Sequence, residues 1–395
     1  MAEAGRPTTQ SPKGRGLREA DVLPLANLES RSDWSILKQV EIRPNARGLS
    51  RTLGGTNVIR LLSATGDTMF RRRLGRSNLE VSAMGLGCWA IGGAWTFEDE
   101  AAGWGQVDDA ESIRAIHYAL DAGINFFDTA ANYGCGHSER LLGQAVAGCR
   151  DKIVLATKFG YIVDEEKRIV TRTEDVVNRI HQECEDSLRR LKTDYIDLYL
   201  FHKDDYDPVK ATEVRDVLET LVEEGKIRWY GWSTNNPEGA RVFAQGQHCT
   251  AIQHTLSMKI VRPGILEVLK VCEEHDLASI NRYPLGSGLL TGKYIHDSTF
   301  PADDFRHSFN LHEEWAQEEF RQIEAVRQAL ASDARTLVQI ALGWIWARSE
   351  RTIPIPGFKS VAQVKENVKA MEFGPLSREQ VNTIEEIFGR IPIPA

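Results

Sequence analysis

The feature that most limits how this chain can fold is an alternation, in which eight short and nearly continuous apolar runs recur between longer amphipathic stretches. The runs occupy residues 84–87, 124–127, 153–157, 195–201, 227–232, 251–252, 277–280 and 352–355. Apolar runs without polar alternation mark strands buried on both faces, as in a parallel sheet covered by helices. Between them, stretches such as 109–122, 174–191, 213–224 and 265–275 are long enough for the crossovers that parallel strands require. Eight strands with seven intervening helices predict an α/β fold, a closed (β/α)8 TIM barrel rather than an open sheet.

Composition sets the bounds of that domain. The chain has 395 residues, of which 42% are hydrophobic and 26% charged, enough to bury a large core without covalent staples. Residues 1–70 hold ten Lys/Arg and seven Asp/Glu, a balance of +3 in a chain whose total is −8, so the remainder carries −11. That leading segment is rich in Gly, Ser, Thr, Pro and Arg, and its apolar patches at 22–25 and 58–62 lack helical or strand periodicity. Residues 1–68 are therefore expected to be a disordered or non-native leader, with Met69 a candidate start and 69–395 the barrel domain.

The charge balance disfavours a nucleic-acid partner, since such binding draws on phosphate neutralisation. No run of eighteen apolar residues and no signal-peptide core occur, so no membrane role is expected. Six cysteines never fall into C-x-x-C spacing, which points to a cytoplasmic protein without zinc or a disulfide frame. Oligomeric state is not encoded in any of these features.

Function enters through the strand ends. Asp128, Lys158, His202, Ser233 and Gln253 each follow an apolar run directly, and Arg282 follows one by two residues. In a (β/α)8 barrel the C-terminal strand ends share one mouth, so these six side chains are expected to meet there. Known nucleotide and metal signatures are missing. Gly286-Ser287-Gly288 and Gly134-Cys135-Gly136 lack the dinucleotide fingerprint spacing, Thr291-Gly292-Lys293-Tyr294 fails as a phosphate loop, and no paired-histidine motif suggests a metal.

Asp128, Tyr133, Lys158 and His202 together suit carbonyl chemistry. An ammonium beside a phenol favours the phenolate and so makes the phenol a usable proton donor, whereas an unperturbed tyrosine titrates near about 10. Asp128 would hold the lysine charged, and His202 would donate to an oxygen gaining negative charge. The same residues also fit a plain ion pair at the barrel mouth with Tyr133 as loop packing.

These residues carry a resemblance. Asp128-Thr129-Ala130-Ala131-Asn132-Tyr133-Gly134, Ala156-Thr157-Lys158-Phe159-Gly160 and Leu200-Phe201-His202 resemble the tetrad motifs of the aldo-keto reductases. Gly85-Leu86-Gly87-Cys88-Trp89, Gly136-His137-Ser138-Glu139 and Ile353-Pro354-Ile355-Pro356-Gly357 extend the likeness across roughly residues 71–390. The resemblance implies a TIM barrel that binds NADP(H) without a Rossmann fold and acts on a small-molecule carbonyl substrate. Tyr133 would be the general acid in reduction, Lys158 and Asp128 its tuning pair, and His202 the carbonyl-orienting group.

It also implies cofactor contacts. Ser233 and Gln253 would hold the carboxamide, and Trp89 would be a further cofactor contact. Pro284, Leu285, Ser287, Gly288 and Lys293 would form a loop over the pyrophosphate. Gly357, Lys359, Ser360, Gln363, Glu366 and Asn367 would receive the adenosine end, Lys359 meeting a 2′-phosphate. Arg282 stands where many relatives stack a tyrosine on nicotinamide, as in a bacterial-type subset of the family. Thr234 replaces a common asparagine, and Lys203-Asp204-Asp205 replaces Trp-Pro, which predicts a polar rim above His202 and small polar aldehydes or sugars over bulky steroids. Trp95, Phe97 and Trp104 are further candidates for the pocket wall, and Cys135 is expected to be an inert thiol. The same groups also serve an NAD(P)-dependent sugar or polyol dehydrogenase run oxidatively, or a cofactor-binding regulatory module.

Overall fold

Each of the eight expected runs is a strand, because each has apolar side chains for both faces of one sheet. The computed structural model describes residues 60–62 and 68–391, with side chains from Phe70 onward. The eight strands are Leu86–Gly87, Phe126–Asp128, Val154–Phe159, Ile196–Phe201, Ile227–Ser233, Cys249–Thr255, Ala278–Arg282 and Thr352–Pro354. All neighbours run parallel, in sequence order. Gly85 N and Gly87 N donate to Pro354 O and Pro356 O, both at 3.0 Å, so the curled sheet's first and last strands are joined.

Alternation along these strands sorts the side chains into two layers. One set, including Phe126, Val154, Ala156, Leu198, Leu200, Ala251, Ala278, Ile280 and Ile353, fills the barrel interior. The other, including Phe127, Leu155, Tyr199, Phe201, Trp232 and Ile252, packs against the surrounding helices. The expected helices appear as Asp109–Asp121, Ile180–Leu191, Ala211–Glu223 and Pro263–Glu274. The second of these starts later than its apolar pattern, after a 3-10 turn at Val177–Arg179. Leu337–Arg348 is buried along Leu337–Trp346 without a polar face, and lies against the eighth strand and the helix Val361–Phe373. No helix among the described residues is long and apolar enough to cross a membrane.

An antiparallel sheet seals the end of the barrel away from the mouth. Thr68–Arg73 pairs with Glu80–Ser82 on one side and Arg60–Leu62 on the other. Its turn is fastened by Thr250 Oγ1, which donates to Leu74 O at 2.7 Å, and by Arg76, whose guanidinium bonds Ala244 O and His275 O at helix C-termini. The strand at 60–62 departs from the expected absence of structure; its pairing with 68–73 supplies order that its own sequence pattern does not. The rest of the proposed leader lies outside the described residues.

A second unexpected sheet stands on the rim of the mouth. Thr96–Phe97 and Glu100–Ala101 form one hairpin, Ile162–Asp164 and Ile169–Thr171 another, and Thr96 pairs with Ile169 to join them. Two- and three-residue strands of this kind take their stability from pairing and from the Trp95, Phe97 and Val170 cluster beneath them.

Close packing inside the barrel yields a direct test. A Cβ on Gly231 would lie 2.0 Å from Ala251 O and 2.9 Å from Leu200 Cδ2. Gly231→Ala is expected to lower stability by about 1–3 kcal/mol through overpacking, read as a lower urea midpoint; an unchanged midpoint would refute this packing.

Candidate active site

The strands' period of two also builds the mouth. Two residues beyond the interior apolar positions Phe126, Ala156, Leu200, Ala251 and Ile280 stand Asp128, Lys158, His202, Gln253 and Arg282. The top layer of the barrel is therefore polar where the layer below is hydrocarbon. All six residues expected at the mouth are brought together by this register.

Lys158 is fully buried and points its three N–H donors at Asp128 Oδ1 (2.6 Å), Thr129 O (2.8 Å) and the Tyr133 hydroxyl oxygen (3.1 Å). The other Asp128 oxygen accepts from Gln253 Nε2 at 2.8 Å, and Gln253 Oε1 accepts from Ser233 Oγ at 3.1 Å. Arg282 donates to that same Ser233 Oγ at 3.4 Å, to Thr255 Oγ1 at 3.3 Å and to Asp204 Oδ2 at 2.7 Å. One hydrogen-bonded chain thus runs from Tyr133 to Arg282. His202 stands on its other side, ring centre 5.9 Å from Tyr133 and 5.8 Å from Tyr161, with Nδ1 3.1 Å from Asn132 Oδ1.

Enclosure decides the protonation states. Burial pushes the Asp128 carboxyl up, opposed by Lys158 and Gln253, and pushes the Lys158 ammonium down, opposed by Asp128. The Tyr133 phenol lies well above its ordinary value, through burial first and the Asp128 charge second. The acidified phenol expected from the sequence is therefore corrected: burial and the Asp128 charge outweigh the opposing Arg282 cation, and the hydroxyl holds its proton. Burial, then the Lys158 and Arg282 cations, drive His202 well below the usual imidazole range, so the ring is neutral. Burial likewise pushes the Cys135 thiol up to about 12, which keeps it protonated and agrees with an inert thiol.

Tyr133, His202 and Asp128 open onto a cavity of about 470 Å³. Of the expected cofactor contacts, Trp89, Arg282, Pro284, Leu285, Ser287, Gly288, Lys293, Gly357, Lys359, Gln363, Glu366 and Asn367 line it. Ser233 and Gln253 are instead buried in the hydrogen-bonded chain behind Asp128. Ser360 caps the helix Val361–Phe373, its side chain accepting from Gln363 N. Trp95, Phe97 and Trp104 belong to the wall, as anticipated.

The rim differs from expectation. Lys203 turns inward and donates to Thr173 O at 2.9 Å, while Asp204 accepts from Thr234 Oγ1, Asn235 N and Arg282. Only Asp205 of that triplet is exposed at the cavity edge.

The cavity's long arm fits a phosphate-bearing dinucleotide. Ser287 Oγ and Asn367 Nδ2 are buried polar atoms with no partner among the described residues, and such atoms cost free energy until a ligand pairs them. Lys293, Lys359 and Arg306 bring three cations to the same arm. Sequence reasoning missed Arg306, which is oriented by Asp304 through bonds of 2.9 and 2.6 Å and lies 4.3 Å over Trp104. Its loop carries no motif; only the fold brings it to the cleft. Phe305 N donates to Gly103 O at 2.9 Å, Gly105 N to Asp303 O at 3.2 Å, and Lys359 Nζ to Trp104 O at 2.7 Å, so two loops and Lys359 are joined in the cavity wall.

Comparison with known proteins agrees with this geometry. The model of the Aldo/keto reductase family matches residues 83–388. An aldo-keto reductase of Bacillus subtilis is 32% identical over 319 residues, 78% of this chain and 92% of that protein. The solved glycerol dehydrogenase of Gluconobacter oxydans is 32% identical with a TM-score of 0.69, covering 82% of this chain and 97% of that one. An aldo/keto reductase of Klebsiella pneumoniae, solved with NADP and acetate, is 25% identical with a TM-score of 0.58 over 82% of this chain and 97% of its own. With its parallel eight-stranded barrel and a cleft suited to NADP(H), the chain belongs to the aldo/keto reductase family of NADP-dependent oxidoreductases.

Proposed function

We propose that the protein reduces an aldehyde or ketone to an alcohol with NADPH, and that Tyr133 gives the proton. The observation that carries this reading is the Tyr133 hydroxyl, 3.1 Å from a buried ammonium and beside a neutral imidazole at the cavity wall. When bound, NADP(H) supplies the hydride that reaches the carbonyl carbon. Tyr133 passes its proton to the carbonyl oxygen, and Lys158, held by Asp128, meets the charge left on the phenol oxygen. His202 lies where a ring N–H can steady the same oxygen.

Arg282 is proposed as the nicotinamide-stacking residue of the bacterial-type subset, its guanidinium fixed from three sides by Thr255, Ser233 and Asp204. Lys293, Arg306 and Lys359 would take the phosphates, with Lys359 on the 2′-phosphate and Ser287 and Asn367 paired by the ligand. Ser233 and Gln253 would meet the carboxamide from within the chain that holds Asp128. Aromatic walls at Trp95, Phe97 and Tyr161, with Asp205 and Arg172 on the rim, favour a small polar aldehyde or sugar. A second reading, oxidation of a polyol, has the glycerol dehydrogenase similarity in its favour, and the same four groups serve both directions.

A panel of carbonyl compounds followed at the NADPH absorbance band tests the assignment. Tyr133→Phe should retain NADPH binding, seen by Trp fluorescence quenching, yet lose at least about 100-fold in kcat, the usual worth of a general acid; near-wild-type turnover removes Tyr133 from this role. Because Tyr133 is held well above and His202 well below their ordinary values, neither changes state over roughly pH 7–9. The kcat profile of reduction should accordingly be level in that window, and a limb inside it would show that one of the two titrates there. Lys359→Ala should raise Kd for NADPH by about tenfold or more and leave NADH little changed; equal losses would refute the phosphate contact.

A further inference from the structure

Among the described residues one side chain, Asn132, lies within hydrogen-bond distance of the His202 ring nitrogens, and the mechanism above does not use it. Resting on the reductase reading, we propose that Asn132 is a positioning residue: by turning its amide against His202 Nδ1, it decides which ring nitrogen carries the proton. A neutral imidazole has a single N–H, so whichever nitrogen is protonated leaves the other as a bare acceptor. With Asn132 Oδ1 facing Nδ1 at 3.1 Å, the proton sits on Nδ1, and Nε2 presents a lone pair. A carbonyl oxygen gains nothing from that lone pair. Turned by half a revolution, the amide offers Nδ2–H to Nδ1, and the proton belongs on Nε2, where it can be donated to the substrate oxygen.

The surroundings leave the choice to Asn132. Its side chain is largely buried, and among the described residues Nδ2 forms no hydrogen bond, so the turn breaks no other contact. The backbone beneath is fixed, since Asn132 O accepts from Cys135 N at 3.1 Å and Ala131 N donates to Lys158 O at 3.2 Å. Nε2 has no hydrogen-bonding partner among the described residues. The charged and titratable groups facing the ring are Tyr133 and Tyr161 on either side and the Lys158 and Arg282 cations, with Asp204 and Asp205 on the same cavity wall. The tautomers interconvert by loss of one proton from Nδ1 to water and gain of one at Nε2 from water, so no net charge is created. An apolar side chain at position 132 could not specify either form.

The full-length chain labelled with ¹⁵N-histidine provides the test, with the His202 resonances identified by their loss in His202→Gln. In the presence of NADP+ and acetone, a pair that cannot react, wild-type His202 is expected to be protonated on Nε2. Asn132→Asp offers only acceptor oxygens, so its neutral His202 should keep the proton on Nδ1. That carboxylate also raises the imidazole pKa, and the doubly protonated ring regains an Nε2–H. Reduction by Asn132→Asp should therefore be lower than wild type by roughly 10- to 100-fold at high pH. It should recover as pH falls through the new pKa, where wild type is level. Wild-type His202 protonated on Nδ1 in the NADP+–acetone complex would overturn the proposal without recourse to any variant, as would Asn132→Asp with the wild-type tautomer and a level profile. If wild type reduces no carbonyl with NADPH, the functional reading fails, while the spectra still decide the tautomer.

Discussion

Everything at the mouth depends on the buried ammonium of Lys158. A cation taken out of water costs several kcal/mol unless good partners surround it. Here the partners are the Asp128 carboxylate, the Thr129 carbonyl and the Tyr133 hydroxyl, supplied by one strand end and the turn that follows. That turn is itself clamped. Ala131 N donates to the Lys158 carbonyl, and Gly134, with φ of 61°, sits so close that a Cβ there would fall 2.0 Å from Gly92 O. The lysine, the turn and the loop after the first barrel strand therefore fix one another, and the phenol is placed by the same contacts that make the ammonium tolerable.

Burial also separates the charged part of the site from the part that faces a ligand. Asp128 and Lys158 form the ion pair at the base, while Tyr133 keeps its proton and His202 remains neutral. A carbonyl group entering the cavity meets neutral polar groups, with the positive charge directly behind them. Such an arrangement discriminates by charge development. It does little for the uncharged ground state and more for an oxygen that is becoming an alkoxide, which is how preorganised dipoles favour a transition state.

The parts of this design that were legible in the sequence are those governed by the barrel's periodicity. Continuous apolar runs gave the strands, and the first polar residue beyond each run gave Asp128, Lys158, His202, Ser233 and Gln253. What could not be read belongs to contacts between distant loops. The rim sheet consists of strands of two or three residues, too short to stand out as apolar runs, and the Thr96–Ile169 pairing joins its two hairpins. Lys203 was expected on the rim because Lys203-Asp204-Asp205 stands in place of Trp-Pro, yet its ammonium finds Thr173 O in the interior. Asn132 lay inside a recognised motif, but its contact with a histidine seventy positions away appears only once the third and fourth strands are laid beside the second.

The absence of a glycine fingerprint has a counterpart in how the cleft gathers charge. In place of a single phosphate-cradling turn, three cations arrive from two segments: Lys293 and Arg306 from the long connection after the seventh strand, and Lys359 from the loop after the eighth. Burial pushes the Lys359 ammonium down, and the Arg306 and Lys293 cations add to this while Asp304 and Asp303 oppose it. Among the described residues its hydrogen-bond partner is the neutral Trp104 carbonyl. A dianionic phosphate placed beside Lys359 would offset the desolvation of its ammonium, which a ribose hydroxyl in the same place would do far less. The proposed preference for the phosphorylated dinucleotide thus rests on a half-buried ammonium with donors to spare, a stronger basis than one surface lysine.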